Sequence, residues 1–228
     1  MRLILFFTLL VLFSGCTDKN AKPFQIKNLA KSDIDMVADI NLKTWRKLTQ
    51  ELTVKLYKRN PKELKKKPGM TISRRLDQLH PPQRLAGGFP ELNNLDGVEA
   101  LPLAFSEQFE GDRVFALMAG ITGMLDRAYN GKKEIFILDE LDQQKLYNSA
   151  RNLESFAWHL NNRKRPNGEL YLLSNGISTT GITNYSFERI LGKLIGMQDL
   201  MANVIADKNN RTINRVVHGA ASMTFLPI

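Results

Sequence analysis

The side chains of this 228-residue chain best suited to metal ligation or acid–base work are its three histidines, His80, His159 and His218, and they stand far apart. None has a second ligand at metal spacing, since the chain holds no HxH, HExxH or CxxC, so no metal site is predicted. His159, beside Trp158 on a helical stretch, is expected at the surface or its boundary. Asp139, Glu140 and Asp142 form the one concentrated acidic group, where a cation site or an acid–base pair can be imagined. They lack the glycine and distal glutamate of a calcium loop and sit where a helix begins, so capping is the expected role. No GxSxG elbow, SxxK, P-loop or GxGxxG occurs, and Gly87-Gly88 is a turn. The serines and threonines have no recognisable base nearby. No catalytic residue and no cofactor are therefore assigned, and an unrecognised hydrolase whose groups converge only in the fold is the enzymatic alternative.

Charge carries more information. The net charge is +9, and the stretch from Lys43 to Arg84 alone holds thirteen Lys or Arg against Glu51, Glu63 and Asp77, a net of +10; the remainder sums to about −1. A positive region of this kind seeks phosphate or carboxylate, whether of lipid, lipopolysaccharide, cell-wall polymer or nucleic acid. Lys65, Lys66, Lys67, Arg74 and Arg75 are its densest part and are the candidate anionic-partner residues. Near an anionic leaflet each contributes up to about 1 kcal/mol, most strongly at low salt. The bland alternative is a solvated helix face.

The only cysteine, Cys16, lies directly behind Arg2, the uncharged apolar run Leu3 to Phe13, and Ser14-Gly15. Eleven apolar residues are too few to span a bilayer, which takes about 20, and suit an export signal. Leu12-Phe13-Ser14-Gly15-Cys16 resembles the lipobox of bacterial lipoproteins, with Phe13 where the family usually has leucine. The resemblance covers residues 1–16 alone. It implies cleavage before Cys16, lipidation of Cys16, and a membrane tether, since two or three acyl chains hold firmly where one does not. Thr17 in place of an aspartate after the cysteine implies the outer membrane, periplasmic face, with the inner membrane as the alternative. Export makes nucleic acid the least fitting partner. With its single cysteine committed, the fold is expected to hold without a disulfide.

The elements that position these residues are mainly helical. Residues 17–31 read as a polar tether. Ser32 with Asp35 has the form of a helix N-cap, and Ile34, Val37, Ala38, Leu42, Trp45, Leu48, Leu52 and Leu56 make one apolar face running to about Arg59. Asn60-Pro61 and Pro68-Gly69 break the chain, and a short helical segment is expected between Met70 and Leu79. Val98 to Phe105 is predicted as a short strand or buried extended segment within a loop-rich stretch. Residues 112–129 are apolar on more than one face and should form the central buried helix, with Gly120 and Gly123 leaving a groove for another helix. A helix follows Asp142, a minor hairpin pairs Leu170 to Leu173 with Ile135 to Leu138, and the polar loop 174–184 is the expected mobile segment. The last helix starts at Ser186 and extends past a weak point at Asn209-Asn210, and the tail 223–228 packs back.

The fold class is thus mainly α, an irregular helical bundle with at most a small β-hairpin. Its expected parts are a signal (1–15), a lipidated cysteine and tether (16–31), a basic helical segment (32–84) and a helical core (85–228), with 32–228 as one domain. The expected function is a non-enzymatic envelope lipoprotein, an accessory subunit docking an envelope protein. The alternative is a binding module for anionic lipid or peptidoglycan through residues 43–84.

Overall fold

The computed structural model describes residues 25–84, 87–177, 181–215, 221 and 224–228; Cys16 and the apolar run before it lie outside the described residues, as does His218. The chain is mainly α-helical, with a single two-stranded antiparallel sheet among the described residues. Its α-helices are α1 (Asp33–Arg59), α2 (Pro61–Lys65), α3 (Ile72–Leu79), α4 (Arg113–Ala128), α5 (Gln143–Asn162) and α6 (Ser186–Asn209). No described helix is long and apolar enough to cross a membrane.

The start of α1 follows its sequence closely. The Ser32 hydroxyl accepts from the Asp35 N–H at 3.2 Å and the Asp35 carboxylate accepts from the Ser32 N–H at 2.7 Å, a reciprocal capping box. Burial works against ionisation of Asp35, but Ser32 and Lys208 outweigh it and leave its pKa below the usual range. The run before α1 is no free tether from residue 26 onward. Ile26–Ala30 forms a 3-10 turn, Lys27 pairs with Glu134, Lys31 with Asp39, and the Ile137 N–H bonds the Ala30 carbonyl at 3.0 Å.

Fourteen of the sixteen residues of α4 are buried, so the other elements surround it. Phe115, Leu117, Met118, Ile121, Met124 and Leu125 are wholly enclosed, each contributing about 1.5–3 kcal/mol of apolar burial. One buried cluster draws side chains from both sides of Arg84, joining Trp45, Leu52 and Leu79 to Phe115, Leu153 and Leu194. α5 and α6 run antiparallel, as Arg151 meets Asp199 and Asn161 meets Glu188. α6 also runs back along α1, with Lys208 on Asp35. It stops at Asn209, where Asn210 takes the left-handed conformation, and does not continue through Ile213.

Residues 98–105 are not a strand. They form 3-10 turns at Gly97–Glu99 and Leu101–Phe105, and Leu101 and Ala104, three apart, face α4. The groove at Gly120 and Gly123 admits this turn rather than a helix. A Cβ on Gly120 would lie 2.4 Å from Leu101 Cδ2, and one on Gly123 would lie 2.5 Å from Asp96 Oδ1.

The expected pairing of 170–173 with 135–138 is absent because each segment finds another partner. The Ile135 N–H bonds the Asp39 carboxylate, Leu170 bridges to Lys164, and the Leu173 N–H bonds Asn60. The hairpin lies instead within the polar loop, as β1 (Gly176–Ile177) and β2 (Thr183–Asn184). The tail does pack back. Asn152 on α5 donates to the Leu226 carbonyl at 2.8 Å and accepts from the Leu226 N–H at 2.7 Å, while Asn148 donates to the Pro227 carbonyl at 2.8 Å.

Candidate functional site

The basic residues singled out in the sequence do not stay together. α2 opens with Pro61 at its first turn and ends at Lys65, after which Gly69 at φ +71° reverses the chain toward α3. Lys65 and Lys67 stand exposed at this corner. Lys66 is held down, donating to Glu63 at 2.8 Å and to the Gly111 carbonyl at 3.0 Å. Arg74 is exposed with its guanidinium on the Gly69 carbonyl at 2.7 Å.

Arg75 does not belong to this surface. One residue on from Arg74 is a rotation of about 100° around α3, which turns it inward to complete burial. There it grips Glu91 with two bonds of 2.7 and 2.9 Å and reaches Asp112 at 3.2 Å. Asp112 also accepts from the Tyr57 hydroxyl at 2.7 Å and caps α4 through the Phe115 N–H at 2.9 Å. Burial pushes the Asp112 carboxyl up despite the Phe115 N–H, Tyr57 and Arg75, and burial with the Asp112 charge pushes the Tyr57 phenol up. Both carboxylates and the phenol are used within the cluster, which joins α1, α3 and α4 and is structural.

Other cations take the place of Arg75. Lys58 and Arg59 close α1, Lys62 lies on α2, and Arg163, Lys164 and Arg165 follow α5. Asn60 fastens these segments together, donating to the Leu173 carbonyl at 2.9 Å and accepting from the Leu173 N–H at 2.8 Å. Arg59, Lys62 and Arg165 consequently line one cleft of about 680 Å³ with Tyr171 and Leu173. Its acids are Glu63 and Glu169, and Glu63 is occupied by Lys66 and by the Arg113 N–H at 2.8 Å. The positive charge of Arg165 is felt inside: burial and Arg165 hold the Arg113 guanidinium below its ordinary value, against Glu63 and Tyr171.

Among the described residues, Lys58, Arg59, Lys62, Lys65, Lys67, Arg74, Arg163, Lys164 and Arg165 form no ion pair. Lys58 and Arg59 suit the negative end of the α1 dipole, which accounts for two of the nine. The apolar surface beside them is equally unusual. Leu173 is 48% exposed, Ile177 and Ile182 70% each, and Tyr185 64%, all on the hairpin segment whose Gly176 would place a Cβ 3.0 Å from the Arg59 guanidinium. The sequence signal for this part was the run Arg163-Lys164-Arg165 before Pro166-Asn167-Gly168; its nearness to Lys62 depends on the Asn60 link and could not be read from spacing.

The remaining candidates resolve as follows. Asp142 caps α5 through the Gln144 and Lys145 N–H groups at 2.7 and 3.2 Å, and Asp139 accepts from the Phe136 N–H at 3.0 Å and pairs with Lys132 at 2.8 Å. The acidic group therefore caps and ties its own loop. No group of three His, Cys, Asp or Glu among the described residues could hold a metal ion. His159 is not at the surface: it is fully buried among Phe105, Trp158 and Phe225, because α5 turns that face toward the 3-10 segment and the tail.

No family model, no curated protein and no solved structure matches this chain.

Proposed function

We propose that this chain is a non-enzymatic envelope lipoprotein, tethered through Cys16 to the periplasmic face of the outer membrane, whose domain lies against an anionic lipid surface. The supporting observation is the basic corner of α1, α2 and residues 163–165, unpaired among the described residues, where Arg59, Lys62 and Arg165 share a cleft with exposed Leu173 and Arg59 meets, at Gly176, the segment that carries exposed Ile177, Ile182 and Tyr185. Cations beside exposed aliphatic and tyrosine side chains suit the headgroup boundary of a leaflet better than a fully hydrated polymer. Acyl chains hold the protein to the membrane; the basic corner sets which face of the domain meets it.

The test is co-sedimentation of the chain from Asn20 onward, which lacks the lipid-bearing cysteine, with phosphatidylglycerol vesicles, neutral vesicles and purified sacculi across a salt series. Binding to the anionic vesicles alone, released by salt, is expected. Reversal of Lys62, Lys65 and Lys67 to glutamate should weaken it by at least two orders of magnitude, at about 1 kcal/mol per cation. Sedimentation with sacculi but not vesicles would assign the corner to cell-wall polymer. Binding to neither would return the function to a protein-docking accessory subunit, for which the groove between α1 and α6, lined by Leu48, Met197 and exposed Leu200, offers a surface.

A further inference from the structure

A second cleft, of about 790 Å³, opens between the middle of α1, the end of α3 and the loop after α4. Its apolar lining is Trp45, Leu79, Pro81 and Pro82, and its charged lining is Arg46, Arg84, Lys132 and Lys133 against a single acid, Asp126. Two enclosed ring nitrogens on its lining residues have no partner: Trp45 Nε1, on a side chain only 2% exposed, and His80 Nε2. A buried indole N–H normally finds an acceptor, and leaving one unmade costs about 1–3 kcal/mol. The two rings sit 6.3 Å apart and tilted at 37°.

The cations are held, not loose. Arg84 is fixed by two bonds of 2.7 Å to Asp96 and further ones to the Ala119 carbonyl and the Thr122 hydroxyl, so it forms a rigid positive wall. Lys132 is engaged by Asp139. Arg46 lies over the Trp45 ring at 5.3 Å and donates to the Lys132 carbonyl at 3.1 Å, with Asp126 only at 3.9 Å. Burial drives the Asp126 carboxyl up in spite of Arg84 and Arg46. Lys133 is exposed and forms no ion pair among the described residues.

The geometry points to this cleft as a binding site for a small phosphate-bearing ligand, taken by Arg46 and Lys133 against the wall of Arg84 and Lys132, with Trp45 Nε1 and His80 Nε2 as its buried polar contacts. Phosphate fits better than a carboxylate because its several oxygens match a guanidinium fork, an ammonium and an indole N–H together. His80 can supply an N–H from one ring nitrogen. The volume exceeds what a phosphate fills, and Leu79, Pro81 and Pro82 wall the remainder for an organic group. This site is separate from the membrane-facing corner.

The test uses the full-length protein in neutral detergent carrying Trp158→Phe, which leaves Trp45 as the sole tryptophan of two. Its fluorescence is titrated with pyrophosphate and glycerol 3-phosphate, with acetate and chloride at matched ionic strength as controls. A saturable change with Kd of about 1 mM or tighter is expected, weakened about tenfold by Lys133→Gln or Arg46→Gln. The Lys62, Lys65 and Lys67 reversals should leave it unchanged, so this site and the membrane reading fail independently. A short-chain phosphatidate binding at least about tenfold tighter than glycerol 3-phosphate places the phosphate on a lipid headgroup; equal binding places it on a soluble ester. No saturable change, an equal change with acetate, or full binding in folded Lys133→Gln overturns the proposal. Lys133 is exposed, so its variant keeps the test valid should Arg46→Gln disturb the fold.

Discussion

His80 should make the protein lose stability in mild acid, and a single substitution isolates the effect. Burial, with Arg84 and Arg46 nearby, pushes its imidazole down to about 4 from an ordinary 6.5. At pH 7 the ring is neutral whether the chain is folded or not, and contributes almost nothing. As pH falls through 6.5 the unfolded chain takes up a proton that the folded one refuses, so stability is lost until pH reaches about 4, where the folded ring also titrates. At 1.36 kcal/mol per pH unit, the loss between pH 7 and pH 5 is about 2 kcal/mol. Asp126 acts in the opposite direction. Burial raises its pKa, so the folded state holds that proton more tightly and gains stability as pH falls through the raised value. The comparison of wild type with His80→Gln removes this contribution, because Asp126 is common to both. Urea unfolding of the chain from Asn20 at pH 7 and pH 5 should therefore show His80→Gln gaining about 2 kcal/mol on wild type over that interval. Identical pH dependence in the two proteins, or a His80 NMR titration centred near 6.5, would refute the reasoning.

Arg75→Met leaves buried Asp112 and half-buried Glu91 without their cation and should cost about 3 kcal/mol in chemical denaturation, with Arg75→Lys failing to restore the two-pronged grip. Ser32→Ala removes one half of the α1 capping box and should cost about 1 kcal/mol, read as a lower denaturation midpoint at unchanged slope. The helix glycines should divide by their surroundings: Gly120→Ala meets Leu101 and should destabilise by about 1–3 kcal/mol, whereas Gly196→Ala meets nothing within 4 Å and should stabilise by up to about 1 kcal/mol. Calorimetry of the pair checks both signs.

The long helices were legible because each carries a stripe of apolar residues at three- and four-residue steps, and Ser32 announced the first of them. What escaped was set by partners distant in the chain. Residues 98–105 read as extended, yet Gly120 and Gly123 open just enough of α4 for a pair of 3-10 turns. His159 and Arg75 look like surface residues until Phe225 covers one and Glu91 with Asp112 neutralises the other. The basic corner was half visible: Lys65, Lys67 and Arg74 stand where composition put them, while Arg163, Lys164 and Arg165 joined through Asn60, a contact across 113 residues. The second cleft is not legible in the sequence because Trp45 lies on the apolar stripe of α1 and only the fold brings His80, Lys132 and Lys133 to it.

The clamp on the tail has a consequence for when the fold can close. Asn152 is fully buried, and both its amide oxygen and its amide nitrogen are answered by Leu226. A chain in which residues 225–228 have not yet left the ribosome has this asparagine unanswered and Phe225 missing from beside His159. Residues 225–228 thus complete a fold whose first helix is capped nearly two hundred residues earlier. Until they are in place the face of α5 that carries Asn148 and Asn152 stays open.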